Sequence, residues 1–166
     1  MKSLLAATTS LLLLFSAHSL AESAHTESRM DIDVAWGGYY LSKDPDSDQY
    51  SVFRLLDFNR QAYHATIFQE EFSEVPEPEA LLDLTPFIGH APIDARALLN
   101  NHSLTLVASA PLTAEDLEGY HLYLEHHEVP SAEIEKLFST ITRFSQQVPL
   151  KLSLELVEGE LQISER

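Results

Sequence analysis

Residues 130–163 read PSAEIEKLFSTITRFSQQVPLKLSLELVEGELQI, and two periodicities meet within them. From Ser131 to Gln147 the apolar residues fall at Ile134, Leu137, Phe138, Ile141 and Phe144. Steps of three and four set them on one stripe of an α-helix. Pro130 and Ser131 mark its start, with Ser131 as the expected N-cap. Glu133 and Glu135 suit the positive end of the helix dipole, and Arg143 the negative end. A full capping box is missing, because Ile134 stands where the reciprocal Glu or Gln belongs. After Pro149 the period becomes two: Leu150, Leu152, Leu154, Leu156, then Glu158-Gly159, then Leu161 and Ile163. With Glu158-Gly159 as a two-residue turn, Leu156 faces Leu161 and Leu154 faces Ile163. The apolar side chains then share one face in a single register. A hairpin with one apolar face and a helix with one apolar stripe bury each other, which sets the class as α+β.

Moving toward the N terminus, Thr113-Ala114-Glu115-Asp116 is a helix-start signal. Leu117, Tyr120 and Leu124 keep helical spacing from there to about His127. Gly119 weakens this reading, since an interior glycine costs about 1 kcal/mol against alanine. A strand over Tyr120–His126 competes with it. The helical version makes an αα-hairpin around Glu128-Val129-Pro130 that feeds the final β-hairpin.

The N-terminal half alternates instead. Ile32–Leu41 reads as a strand in which Gly37-Gly38 marks a bulge or close backbone approach. Tyr50–Phe58 and Gln61–Phe68 follow, joined by a turn at Asn59-Arg60, and the three form an antiparallel meander. Glu70–Pro78 is an acidic surface connection. Short helices are expected over Glu79–Leu84 and Ile93–Asn100, with a turn-like break at Phe87-Ile88-Gly89 and a strand over Ser103–Ser109. Glu22–Met30 has no pattern and reads as a flexible lead-in. The sum is a single α+β domain over residues 22–166, with an antiparallel sheet from the N-terminal meander and C-terminal hairpin packed against the late αα-hairpin. A mainly helical structure with isolated hairpins is the runner-up.

The first residues form an export signal. Lys2 gives a positive start, Leu4–Ala17 a short apolar core, and Ser19-Leu20-Ala21 a small-x-small cleavage pattern. The apolar run is too short and too interrupted for a membrane anchor, so no anchor is expected after cleavage. The chain has no cysteine, which with the short signal suits a bacterial periplasm. Its 26 acidic and 10 basic residues give a formal net charge of −16. Loss of Lys2 with residues 1–21 leaves 9 − 26 = −17. Such a surface repels nucleic acid and anionic lipid and favours a basic partner.

Four constellations are candidates for chemistry. Asp44-Pro45-Asp46-Ser47-Asp48 resembles the start of a calcium loop, but Gln49 and Leu55 stand where Gly and a bidentate Glu belong. His121, Glu125 and Glu128 share one face of a helix at steps of four and three, a candidate zinc or copper site. Trp36, Tyr39 and Tyr40 concentrate aromatics beside flexible backbone, which core packing around a bulge explains and which is also a candidate partner-binding surface. Arg54 and Arg60 flank Asp57 and are candidates for binding an anion, against an internal ion pair. No Gly-x-Ser-x-Gly elbow or phosphate-cradling loop appears. His64, His90, Asp57, Asp83 and Asp94 can be assembled into an acid–base set only on paper. The leading function is therefore an exported, non-catalytic, acidic protein that binds a basic periplasmic or envelope protein as an inhibitor, immunity or accessory factor. Metal handling and an enzyme without a readable motif are the alternatives. The intact mass of the exported protein should correspond to a chain starting at Glu22, and a membrane-associated chain retaining Met1 would contradict the export signal.

Overall fold

Ile32–Leu41 does not run as one strand. In the computed structural model, which describes residues 29–43, 47–59, 62–100 and 104–166, it is divided at Ala35–Gly37. The expected export signal, residues 22–28 of the lead-in, Asp44–Asp46 of the acidic turn, and Arg60 lie outside the described residues. Strand β1 (Arg29–Val34) ends before the break and β2 (Gly38–Lys43) starts after it. Gly37 adopts φ 77°, and the Gly38 N–H donates to the Ala35 carbonyl at 3.0 Å. A Cβ on Gly37 would lie 2.1 Å from the Ala110 carbonyl oxygen, so the chain can turn here only on a glycine. Tyr40 clamps the same turn. Its hydroxyl donates to the Asp33 carbonyl at 2.9 Å and accepts from the Ala35 N–H at 2.8 Å.

The break sends the two halves to different sheets. β1 pairs antiparallel with β7 (Leu150–Val157), which pairs in turn with β8 (Glu160–Glu165), giving a three-stranded sheet of order β1-β7-β8. β2 joins β3 (Tyr50–Phe58), β4 (Ala62–Phe72), β5 (Ile88–Asp94) and β6 (Thr105–Ser109) in a five-stranded antiparallel sheet of order β5-β4-β3-β2-β6. The fold is α+β, with the first strand of the expected meander given over to the C-terminal hairpin. That hairpin has the expected register: Leu156 opposes Leu161 and Leu154 opposes Ile163. Glu158 at φ 52° and Gly159 at φ 85° make the mirror-image turn whose twist matches two paired strands.

One face of the larger sheet (Tyr40, Phe53, Leu55, Tyr63, Ala65) shares a core with Ile32, Val34, Leu152 and Leu154 of the smaller one. The opposite face carries Tyr39, Leu41, Val52 and Phe68, which pack with Leu81 of the short helix α1 (Pro78–Leu82). Phe87-Ile88-Gly89 is no break, since Ile88 opens β5, and Ile93 ends a strand rather than starting a helix. Only Ala95–Asn100 is helical, as a 3-10 turn. Pro92 is tolerated because β5 is an edge strand that uses only its β4 side.

The competition over residues 118–126 resolves as helix α2 (Glu118–His126), followed by α3 (Ser131–Phe144). Thr113 and Asp116 do exchange bonds: Thr113 N–H to Asp116 Oδ2 at 2.8 Å, and Asp116 N–H to Thr113 Oγ1 at 3.3 Å. They close a turn just before α2, whose cap residue is Leu117. Pro130, not Ser131, occupies the N-cap of α3, because its ring fixes the extended backbone needed there and Ser131 becomes the first helical residue. Gly119 has a packing reason. A Cβ there would meet the His90 Cβ at 3.1 Å and the Gly89 carbonyl carbon at 3.2 Å, so α2 rests directly on β5. α3 reaches the sheet-switch turn through Phe144, whose ring lies 5.1 Å from Trp36. Gly37→Ala should lower unfolding free energy by about 2–4 kcal/mol in denaturant titration. Gly89→Ala, which meets nothing within 4 Å, should be near neutral.

Candidate functional site

A bulge decides which side chains meet on the α-covered face of the larger sheet. Leu55 pairs with Ala65 and Asp57 pairs with His64, which leaves Leu56 as the extra residue of β3. Three steps separate Arg54 from Asp57, which in a regular strand would put them on opposite faces. The bulge brings Asp57 onto the face of Arg54, Thr66 and His64. His64 pairs with Pro92, so His90, two residues from Pro92 along β5, lies on the same face beside His64.

Asp57, His64 and His90 therefore do assemble. Asp57 Oδ1 accepts from Trp36 Nε1 at 3.2 Å and from the Phe58 N–H at 2.8 Å, and its Oδ2 accepts from the Tyr120 hydroxyl at 3.0 Å. The Tyr120 ring lies over both imidazoles, 4.3 Å from His64 and 4.8 Å from His90. His64 Nδ1 and His90 Nε2 are 2.9 Å apart, with ring centroids at 5.2 Å and planes within 13°. That centroid distance is what 2.9 Å plus two ring radii gives. The rings therefore lie edge to edge in nearly one plane, aimed along one hydrogen bond.

The direction of that bond follows from the backbone. The Ala62 N–H donates to Asn59 Oδ1 at 2.8 Å, which turns Asn59 Nδ2 toward His64 Nε2 at 3.3 Å. An amide nitrogen can only donate, so His64 Nε2 accepts and His64 Nδ1 carries the proton given to His90. A second proton on the pair would set two donors against each other. Burial holds His64 below the ordinary histidine range, against a raising influence from Asp57. Burial and then the neighbouring His64 push His90 down to about 4. Burial, reinforced by Asp57, holds the Tyr120 phenol well above its ordinary value. Asp83 and Asp94 stay away: Asp83 ends α1, and Asp94 pairs with Arg96 at 2.5 Å on the surface.

Beside this dry network the same face opens into a cleft of about 350 Å³. Phe68, Leu82, Leu84 and Pro86 form its apolar wall, Tyr39, Arg54 and Thr66 its floor, and Glu115, Asp116 and Glu118 its acidic rim. Gly89 and Gly119 line it with bare backbone. Phe87 and Ile88, 63% and 42% exposed, follow Pro86 in sequence. Tyr39 is 4% exposed and lines the cleft, and its hydroxyl makes no hydrogen bond to the described residues. Burial raises its pKa, opposed by Arg54 and supported by Asp116.

The proposed aromatic surface is core. Trp36, Tyr39 and Tyr40 are 9%, 4% and 2% exposed. Trp36 is spent on Phe144 and Asp57, and Tyr40 on the turn and on Phe53, 5.2 Å away. Of the three, only Tyr39 lines the cleft. Arg54 has its donors engaged within the fold, by the Gly37, Ala110 and Pro111 carbonyls and by Asp116 Oδ1 at 2.5 Å. Its ionic partner is Asp116, not Asp57. Arg60 lies outside the described residues. Of the expected metal trio, His121 Nδ1 and Glu125 Oε2 come within 3.5 Å on α2, while Glu128 lies past the helix end with φ 58°. Among the described residues no three candidate ligands converge.

No protein-family model matches the chain, and neither a curated protein nor a solved structure matches it. The cleft residues Leu82, Leu84, Pro86, Glu115 and Glu118 carried no sequence signal, since they come from segments far apart in the chain. The histidine pair gives the site's pH signature. Above about pH 6.5 both folded and unfolded His90 are neutral, and between there and about 4 only the unfolded chain takes up the proton. Unfolding free energy should fall by about 1 kcal/mol across that window once partial exposure is allowed for. His90→Gln should flatten the slope, and a flat wild-type profile would mean the pair is not held neutral.

Proposed function

We propose that the protein is exported to a bacterial periplasm and acts there without catalysis, by binding a basic protein through the acid-rimmed cleft. The single observation behind this reading is the cleft itself: an apolar wall, a floor hydroxyl without a partner among the described residues, and exposed carboxylates at Glu115 and Glu118. Interfaces concentrate their binding energy in such desolvated pockets ringed by polar groups. The chain's net charge of −16 supports the sign of the partner, because its long-range field raises the encounter rate of cationic proteins. The export signal at residues 2–21 supports the compartment. The non-catalytic character is supported by the network under α2, where the Asp57 carboxylate is taken up by Trp36 and Tyr120 and the two imidazoles bond to each other.

This replaces the aromatic surface expected from the sequence with a different one, and the two charges most concerned can be removed separately. Immobilised protein should retain basic envelope proteins at ~50 mM salt and release them by ~500 mM, as screening shortens the field. A Glu115→Gln/Glu118→Gln variant should lose retention, while Glu133→Gln/Glu135→Gln, which removes equal charge away from the cleft lining, should keep it. Equal loss in both would leave general charge, not the cleft, as the cause.

A further inference from the structure

The cleft is selective as well as acidic, and its floor says for what. Tyr39 is 4% exposed, yet its hydroxyl has no partner among the described residues. Such a group leaves a hydrogen bond to be made by whatever enters. Beside it, Thr66 Oγ1 donates to the Gly89 carbonyl at 3.1 Å and keeps its lone pairs free to accept. The tip of an occupant must therefore be polar.

It must also be uncharged. The Arg54 guanidinium lies over the Tyr39 ring at 5.1 Å, so an ammonium group at the floor would face a cation. A carboxylate would face Asp116 and pass the acidic rim. Behind the tip the occupant must be apolar and flat. Phe68, Leu82, Leu84 and Pro86 offer a hydrophobic wall, and the two glycines leave backbone surfaces on which a ring can lie. The space at Gly89 where a side chain would stand is open. At about 350 Å³ the cleft has room for one large side chain and the backbone carrying it. At the mouth, Glu115 and Glu118 ask for positive charge on either side.

We propose that the cleft is an anchor pocket for a tyrosine side chain of the partner, set between lysine or arginine residues, its phenol hydrogen-bonded to Tyr39. This rests on the reading of the cleft as the binding surface. Aromatic anchors with a polar tip suit such a place because they bury much area at little loss of rotamer freedom.

The test uses the full chain and capped peptides with a central residue flanked by lysines, read by fluorescence anisotropy at ~50 mM salt. The tyrosine peptide should bind best, phenylalanine about tenfold more weakly, and alanine weaker again, as loss of one buried hydrogen bond and then of the ring predicts. Tyr39→Phe removes a hydroxyl that holds nothing in the protein, so its melting temperature should be unchanged while the tyrosine–phenylalanine gap closes. Equal binding of tyrosine and alanine peptides would overturn the anchor and leave the cationic reading standing. A gap that survives Tyr39→Phe would overturn the floor assignment. Failure of every lysine-flanked peptide to bind would sink both the anchor and the reading beneath it.

Discussion

Arg54 is the cation on which the architecture depends. Buried at 8% exposure, it reaches the Gly37 carbonyl at the sheet-switch turn, the Ala110 and Pro111 carbonyls after β6, and the Asp116 carboxylate just before α2. Three segments, the Gly37 turn, Ala110–Pro111 and Asp116, are thus tied to one side chain in the middle of β3. A guanidinium suits this task because its donors lie in a fixed planar fork, whereas an ammonium group would offer a point charge without that geometry. A buried ion pair of this kind adds less to net stability than to uniqueness. Without Asp116 the charge would be stranded, and without Arg54 three carbonyls and a carboxylate would lose their common partner. The turn at Gly37, the approach of α2 and the floor of the cleft all follow from satisfying that one group.

The same sheet face therefore carries two environments a few residues apart. On the β5 side, Tyr120 covers the two histidines, which bond to each other, and donates its hydroxyl to Asp57. On the β2–β3 side, the cleft leaves Tyr39 with a hydroxyl that only a solvent molecule or a partner can satisfy. Gly119 separates them, since the close seating of α2 on β5 seals one side and forms the wall of the other. Rigidity in the dry half fixes the position of the wet half. A binding surface built on such a platform loses little conformational freedom when occupied.

Much of this fold was legible because it obeys local rules. The stripe through Ile134, Leu137, Phe138 and Ile141 made α3, and the alternation from Leu150 to Ile163 made β7 and β8 in their observed register. Legibility failed where non-local contacts overrode local preference. Pro92 and Gly89 look like breakers, yet they sit in a strand because β4 offers an edge to pair with. Trp36, Tyr39 and Tyr40 could be read as core or as surface, because aromatics beside glycine suit both, and periodicity cannot tell which side is wet. The acid–base trio of Asp57, His64 and His90 was unreadable for a sharper reason. The bulge at Leu56 brings Asp57 onto the face of the two histidines, and a bulge shifts the alternation by one without leaving any mark in composition. The cleft was unreadable because its wall, floor and rim come from β2, β3, β4, the connection after α1 and the start of α2.

The pairing of β1 with β7 has a consequence for how the molecule comes to be folded. Val34 sits opposite Leu150, so a ribosome must complete everything in between before the first strand meets its partner. Loop-closure entropy makes such distant pairings late events, and until then β1 is an unpaired strand exposed to other chains. Its composition suits that wait. Asp31 and Asp33 alternate with Ile32 and Val34, so a copy of the same segment approaching in register would bring carboxylates face to face. The acidity of this strand thus acts before the fold is finished, as a guard against self-association while the smaller sheet is still incomplete.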